Sequence, residues 1–136
     1  MTALAVIKLY LLTAPVFFAV DLLWLGVIAR GFYRNNLGHL LSSTVNWPAA
    51  VIFYLIFIGG ILYFSVLPAL AEGSLRRALV NGALFGFFTY VTYELTNLAT
   101  LPDWPLRVVL VDTAWGVTLC ASVASVSYLI GRWLSA

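Results

Sequence analysis

YELTNLATLPDWP, Tyr93 to Pro105, runs directly into LRVVLVDTAWG, Leu106 to Gly116. Two strongly apolar segments meet there at a turn enforced by Pro102 and Pro105, since proline lacks the helical N–H and disfavours helix in the residue before it. Glu94, Asn97, Asp103 and Asp112 sit at the junction. A chain this apolar has little reason to carry carboxylates there unless they have work to do.

The surrounding composition fixes the class. Hydrophobic residues make up 63% of the 136 and charged residues 9%, against roughly 45–50% and about 25% in soluble domains. The length allows one domain, and the composition makes it an integral membrane domain. A formal net charge of +2 with scattered Lys and Arg supplies no nucleic-acid surface, so nucleic acid is not expected as a partner. Cys120 is the single cysteine, which excludes a disulfide framework and a CxxC metal pair; inside an apolar run it reads as a small buried hydrophobe.

Four apolar segments, at about 9–29, 48–71, 78–101 and 106–134, each have the ~20 residues needed to cross ~30 Å of hydrocarbon. The first is too long for a signal-peptide core and reads as a retained span. Helices are expected, because an open strand would leave backbone groups unsatisfied in lipid. The fold expected is all-α: a four-helix membrane bundle, with a short interfacial amphipathic helix at about 36–45. Leu37, Leu40, Leu41, Thr44 and Val45 supply that helix's apolar spacing. Pro15 should loosen the first span. Asn46 and Pro48 read as a cap and first-turn pair opening the second, and Gly59 and Gly60 mark a close-packing point in it. Gly82, Gly86, Tyr90, Glu94 and Asn97 share one face of the third.

Connectivity then brings distant acids together. With four spans, Asp21, Glu94 and Asp112 all lie roughly 9–12 Å inside the same membrane boundary, the one that also carries the long loop and the proline turn. Intramembrane acids are costly and normally face the bundle interior, so these three are the candidate catalytic groups. They cannot all be ionised in one low-dielectric layer without cations or water. Two readings stand side by side: an acid/base site, or carboxyls hydrogen-bonded to Tyr, Asn and Trp to lock the bundle.

Candidate ligand-binding residues surround the layer: Asn97, Tyr93, Tyr90, Trp115 and Trp24, with Arg107 one turn from Asp112 and His39 in the loop above. Trp24, Trp47, Trp104 and Trp133 read mainly as interfacial belt residues, whereas Trp115 lies deeper and could wall a pocket. Asp21-x-x-Trp24 and Asp112-x-x-Trp115 share one spacing, in which each indole can cover its own carboxylate. One histidine cannot form a di-iron bundle set or an HExxH zinc site, and no GxSxG, P-loop or GxGxxG is present. No metal and no cofactor is expected.

The order WLG (Trp24 to Gly26), FY (Phe32, Tyr33), NW (Asn46, Trp47), FY (Phe53, Tyr54), PAL (Pro68 to Leu70), YELTNLATL, DWP and DTAWG resembles a bacterial family of small predicted inner-membrane proteins of unknown function. The resemblance spans essentially the whole chain, and YELTNLATL is its most specific part. Where the family pattern more often has aspartate this chain has Glu94, which keeps the acid and extends its reach. The resemblance implies a four-span protein of the bacterial inner membrane and brings no activity or cofactor with it.

The function expected from these residues is binding of a lipophilic small molecule or membrane lipid, with acid/base chemistry of isomerase or lyase type on a lipid or isoprenoid. Alternatives are a proton-coupled transporter acting as a homo-dimer, and a non-catalytic assembly partner docking through the Gly82/Gly86 stripe. A slight excess of Lys and Arg on the side of the termini places both termini in the cytoplasm.

Overall fold

The computed structural model describes every residue from Met1 to Ala136. All its ordered elements are helices: α1 (Ala3–Ile28), α2 (Arg30–Leu37), α3 (Trp47–Glu72), α4 (Leu75–Thr100) and α5 (Leu106–Ser135). Three of them, α1, α3 and α5, are long and apolar enough to cross a membrane. With 26 residues α4 matches α1 in length, but Arg76, Arg77, Asn81, Glu94 and Asn97 dilute its hydropathy.

Local chemistry sets the ends. Asn46 accepts the Ala49 N–H at 3.2 Å, with Pro48 in the first turn of α3. Gly73, at φ 66°, closes α3 in the left-handed conformation that glycine adopts without a Cβ penalty. Ser74 then accepts the Arg77 N–H at 3.1 Å and opens α4. The first helix starts at Ala3, well before the expected Leu9, and runs through Pro15. Its irregularity lies further on, in a π-helical turn at Trp24–Ile28. A second π turn, Leu62–Val66, interrupts α3.

The interfacial helix expected at about 36–45 is not formed. The helix in this connection is α2, Arg30–Leu37, and the chain from Gly38 to Asn46 is turn and coil. Leu40, Leu41 and Val45 are exposed and pack on no other helix. Ser42 instead takes the Thr44 N–H with its side chain at 3.2 Å, the local competition by which serine disfavours helix.

Packing is antiparallel and tightest between α4 and α5. A Cβ at Gly82 would stand 2.6 Å from the Cys120 carbonyl oxygen, and one at Gly86 would collide with the Gly116 carbonyl. Such small-residue contacts let backbones approach where no hydrophobic force separates helix from lipid. The Gly82/Gly86 stripe is therefore filled by α5 of the same chain, which removes it as a docking surface for another protein. Across α1 and α5, Thr13 and Ser127 share a buried hydroxyl hydrogen bond of 2.7 Å. Leu9, Phe17, Ile58, Ile61, Leu119 and Val123 fill the centre between α1, α3 and α5. Gly60 packs against Phe85, as expected of a close-packing point, whereas Gly59 faces open space.

The hairpin of α3 and α4 is closed at one end only. Beside the Gly73 turn the two helices touch along Leu62–Glu72, and Phe57, Phe64 and Phe85 bridge them with ring centroids 5.2 and 5.8 Å apart. Above that level Trp47–Ile56 leans towards α1 and leaves α4.

Candidate functional site

The divergence of α3 from α4 opens a cavity of about 780 Å³, within the range of roughly 300–1,000 Å³ typical of small-molecule sites. Phe53, Ile56, Phe64 and Tyr93 line its mouth and are themselves exposed. The cavity therefore opens sideways, through the wall of the bundle. Both π turns contribute lining residues, Leu25 from α1 and Phe64 from α3; such turns redirect side chains by inserting a residue into the helix and recur at functional sites.

Asp21 and Asp112 stand at the inner wall. Asp21 is 5% exposed and accepts two hydrogen bonds, from Trp115 Nε1 at 3.2 Å and from the Tyr54 hydroxyl at 3.3 Å. Asp112 accepts the Tyr33 hydroxyl at 2.6 Å, and that oxygen in turn accepts Trp24 Nε1 at 3.1 Å. Glu94 is 1% exposed and takes Trp104 Nε1 at 2.8 Å. Its carboxyl also lies within hydrogen-bonding reach of Asp112. Two carboxyls that close can hydrogen-bond only with a proton on one of them.

The three acids thus gather, but they do not form one layer facing one space. Asp21 and Asp112 border the cavity; Glu94 lies behind Asp112, sealed by the indole of Trp104. Tyr90, Tyr93 and Trp115 also line the cavity. Trp24 does not, but stacks on Trp115 with centroids 4.5 Å apart and planes 8° from parallel. Asn97 sits outside the lining, one turn above Tyr93 on α4. Arg107 and His39 are exposed and do not reach the acids. In consequence no Lys, Arg or His borders the cavity. An anion there would meet repulsion of about 4 kcal/mol from an ionised carboxylate 4 Å away at an effective dielectric near 20.

The indoles are arranged differently from the spacing argument. Trp115 serves Asp21 of α1 rather than Asp112 of its own helix, and Trp24 reaches Asp112 through Tyr33. The two D-x-x-W segments lie on antiparallel helices, so each indole crosses to the other's acid while the rings stack between them. Trp104, expected in an interfacial belt, is a donor to Glu94; Trp47 and Trp133 remain exposed at the helix ends. Tyr54 and Tyr33 escaped the sequence reading. The one available signal was a phenol within or just after an apolar run, the form taken by a hydrogen bond that must be made in a dry place.

Helices that can cross a membrane, packed round buried acids held by indole and phenol donors, define a helical membrane protein. The chain belongs to the family described as predicted membrane protein DUF2177, whose model matches residues 6–129. Neither the curated proteins nor the solved structures contain a match to it.

Proposed function

We propose that the protein is a four-span membrane protein that draws a lipophilic molecule sideways from the bilayer, between α3 and α4, and performs acid/base chemistry on its polar end. The observation that carries the reading is the cavity itself: an aromatic wall open through the side of the bundle, with Asp21 and Asp112 as the carboxylates at its inner end. The fourth span is α4, whose 26 residues give about 39 Å of helix and whose charged residues are either buried, as Glu94 is, or at its first turn, as Arg76 and Arg77 are. In this reading Asp112 delivers the proton, because Glu94 behind it can resupply one. Asp21, held in place by Trp115 and Tyr54, receives it. An isomerase- or lyase-type reaction on a lipid or isoprenoid uses such a pair, since a positioned acid and base can move a proton without a separate nucleophile. The membrane is the bacterial inner membrane, with both termini cytoplasmic.

Two measurements test this. Lipid extracts of a host carrying Asp21→Asn, Asp112→Asn are compared with those of a host carrying the wild-type protein; indistinguishable lipid and isoprenoid profiles would remove the chemistry. Single cysteines placed at Ser74 and Leu101, which flank α4, in a Cys120→Ala background are reacted with an impermeant maleimide in intact and lysed cells. Four spans require the two sites to respond on opposite sides of the membrane.

A further inference from the structure

The polar groups at the inner end of the cavity define what kind of head group they can hold. Asp21 and Asp112 are acceptors when ionised and have their own protein donors, Trp115, Tyr54 and Tyr33. Tyr90 differs from those phenols. It lines the same cavity as Asp21 and Asp112, whose charges reach it, and its hydroxyl takes part in none of the side-chain hydrogen bonds that hold the two acids. The ring is fixed, because it lies against Gly116 so closely that a Cβ there would collide with it. A rigid phenol donor therefore lines the same cavity as two carboxyl acceptors, and no Lys, Arg or His lines it to neutralise a negative head.

We infer that the ligand is a neutral lipid with a hydroxyl head, whose oxygen accepts from Tyr90 and whose O–H donates to Asp21. This rests on the lateral-entry reading above and narrows it. An ammonium head can donate to the acids but cannot accept from Tyr90. A carboxylate or phosphate head can accept from Tyr90 but meets the acids with like charge and finds no Lys, Arg or His. Of these head groups only the hydroxyl satisfies both sides. The apolar chain lies along Phe53, Phe57, Phe64 and Phe85 and leaves through the gap between α3 and α4.

The test uses the full-length protein in phosphatidylcholine vesicles and four photoreactive probes that share one diazirine-bearing C16 chain: primary alcohol, primary amine, carboxylic acid and phosphate monoester. Crosslinks are mapped by mass spectrometry. The expected result is alcohol labelling of the Phe53–Phe64 and Phe85–Tyr93 segments at least tenfold above the acid and the phosphate, and severalfold above the amine. Tyr90→Phe, which removes an oxygen that takes no part in holding the acids, should cut alcohol labelling severalfold while the melting temperature holds. Labelling by acid, phosphate or amine equal to that by alcohol overturns the hydroxyl assignment and leaves lateral entry standing, as does unchanged labelling in Tyr90→Phe. No cavity labelling by any probe overturns both.

Discussion

Trp24 of α1 and Trp115 of α5 lie face to face, centroids 4.5 Å apart and planes 8° from parallel, and each indole N–H leaves the stack towards a group bound to the opposite helix. The pair ties the acids to one another as well as the helices. Replacing Trp115 by Phe keeps a ring in the stack but leaves Asp21 with one donor fewer. A loss of about 1–3 kcal/mol is expected for the abandoned acceptor, read as a lower melting temperature in detergent. Trp115→Leu should cost more, because the stacking contribution of about 0.5–1.5 kcal/mol is lost as well.

Glycines of the bundle separate into two kinds. Gly86→Ala drives a Cβ into the Gly116 carbonyl and forces α4 from α5; a destabilisation of about 1–3 kcal/mol, the usual range for overpacking, is expected. Gly59→Ala meets nothing within 4 Å and should stabilise by up to about 1 kcal/mol through helix propensity. Melting curves of the two variants side by side check the contrast, and equal shifts would contradict the packing described.

The Thr13–Ser127 bond gives a test of polar packing in the apolar core. Thr13→Val should cost about 1–2 kcal/mol, because the Ser127 hydroxyl is left buried without its partner. The double variant Thr13→Val, Ser127→Ala removes both polar atoms and should recover most of that loss. A double variant as unstable as the single would mean that the pair is not an isolated one.

Access to the cavity can be changed without touching the acids. Ile56 is 70% exposed and lines the mouth, so Ile56→Trp should narrow the gap between α3 and α4 while stability stays within about ±0.5 kcal/mol, as for most surface changes. Crosslinking of a photoreactive lipid inside the cavity should fall severalfold. Labelling that persists would point to entry by another route.

Glu94 and Asp112 should respond unequally. Glu94→Gln preserves an acceptor for Trp104 and a hydrogen bond to Asp112, and Glu94 has no surface in the cavity; ligand labelling should change less than twofold. Asp112→Asn alters the cavity wall and should change labelling severalfold. The reverse order would place the binding surface on the wrong side of Asp112.

Much of this architecture was legible because hydropathy and proline are strong signals. Pro102 and Pro105 fixed the α4–α5 turn, Asn46 and Pro48 fixed the start of α3, and counting along helices brought Asp21 near Asp112 although the two are far apart in sequence. What was not legible depended on side-chain direction. Helix counting gives depth but not which neighbour an acid faces, so Glu94 was placed in the same open layer as Asp21, when Trp104 closes over it. Spacing within one helix suggested that Trp24 and Trp115 shield their own aspartates, when tertiary packing hands each to the other. The helix expected over 36–45 failed because periodicity does not register local competition such as the Ser42 side chain taking the Thr44 N–H. The π turns have no distinctive sequence mark: Gly26 lies inside the first and Gly59–Gly60 precede the second, but Gly82 and Gly86 sit in regular α-helix.

Those two turns make the chain's length negotiable at two places. A π turn holds one more residue than the α turn that could replace it, so removing one residue from Leu62–Val66 or from Trp24–Ile28 leaves an unbroken α-helix. Because the π turn takes up its extra residue locally, the remainder of that helix keeps its orientation. Elsewhere in these helices the same deletion would rotate everything beyond it by about 100° and break the packing. At Leu62–Val66 it would change only the local direction of side chains such as Phe64. Single-residue deletions in this protein are therefore expected to survive as folded chains at these sites and to differ in what the cavity can hold.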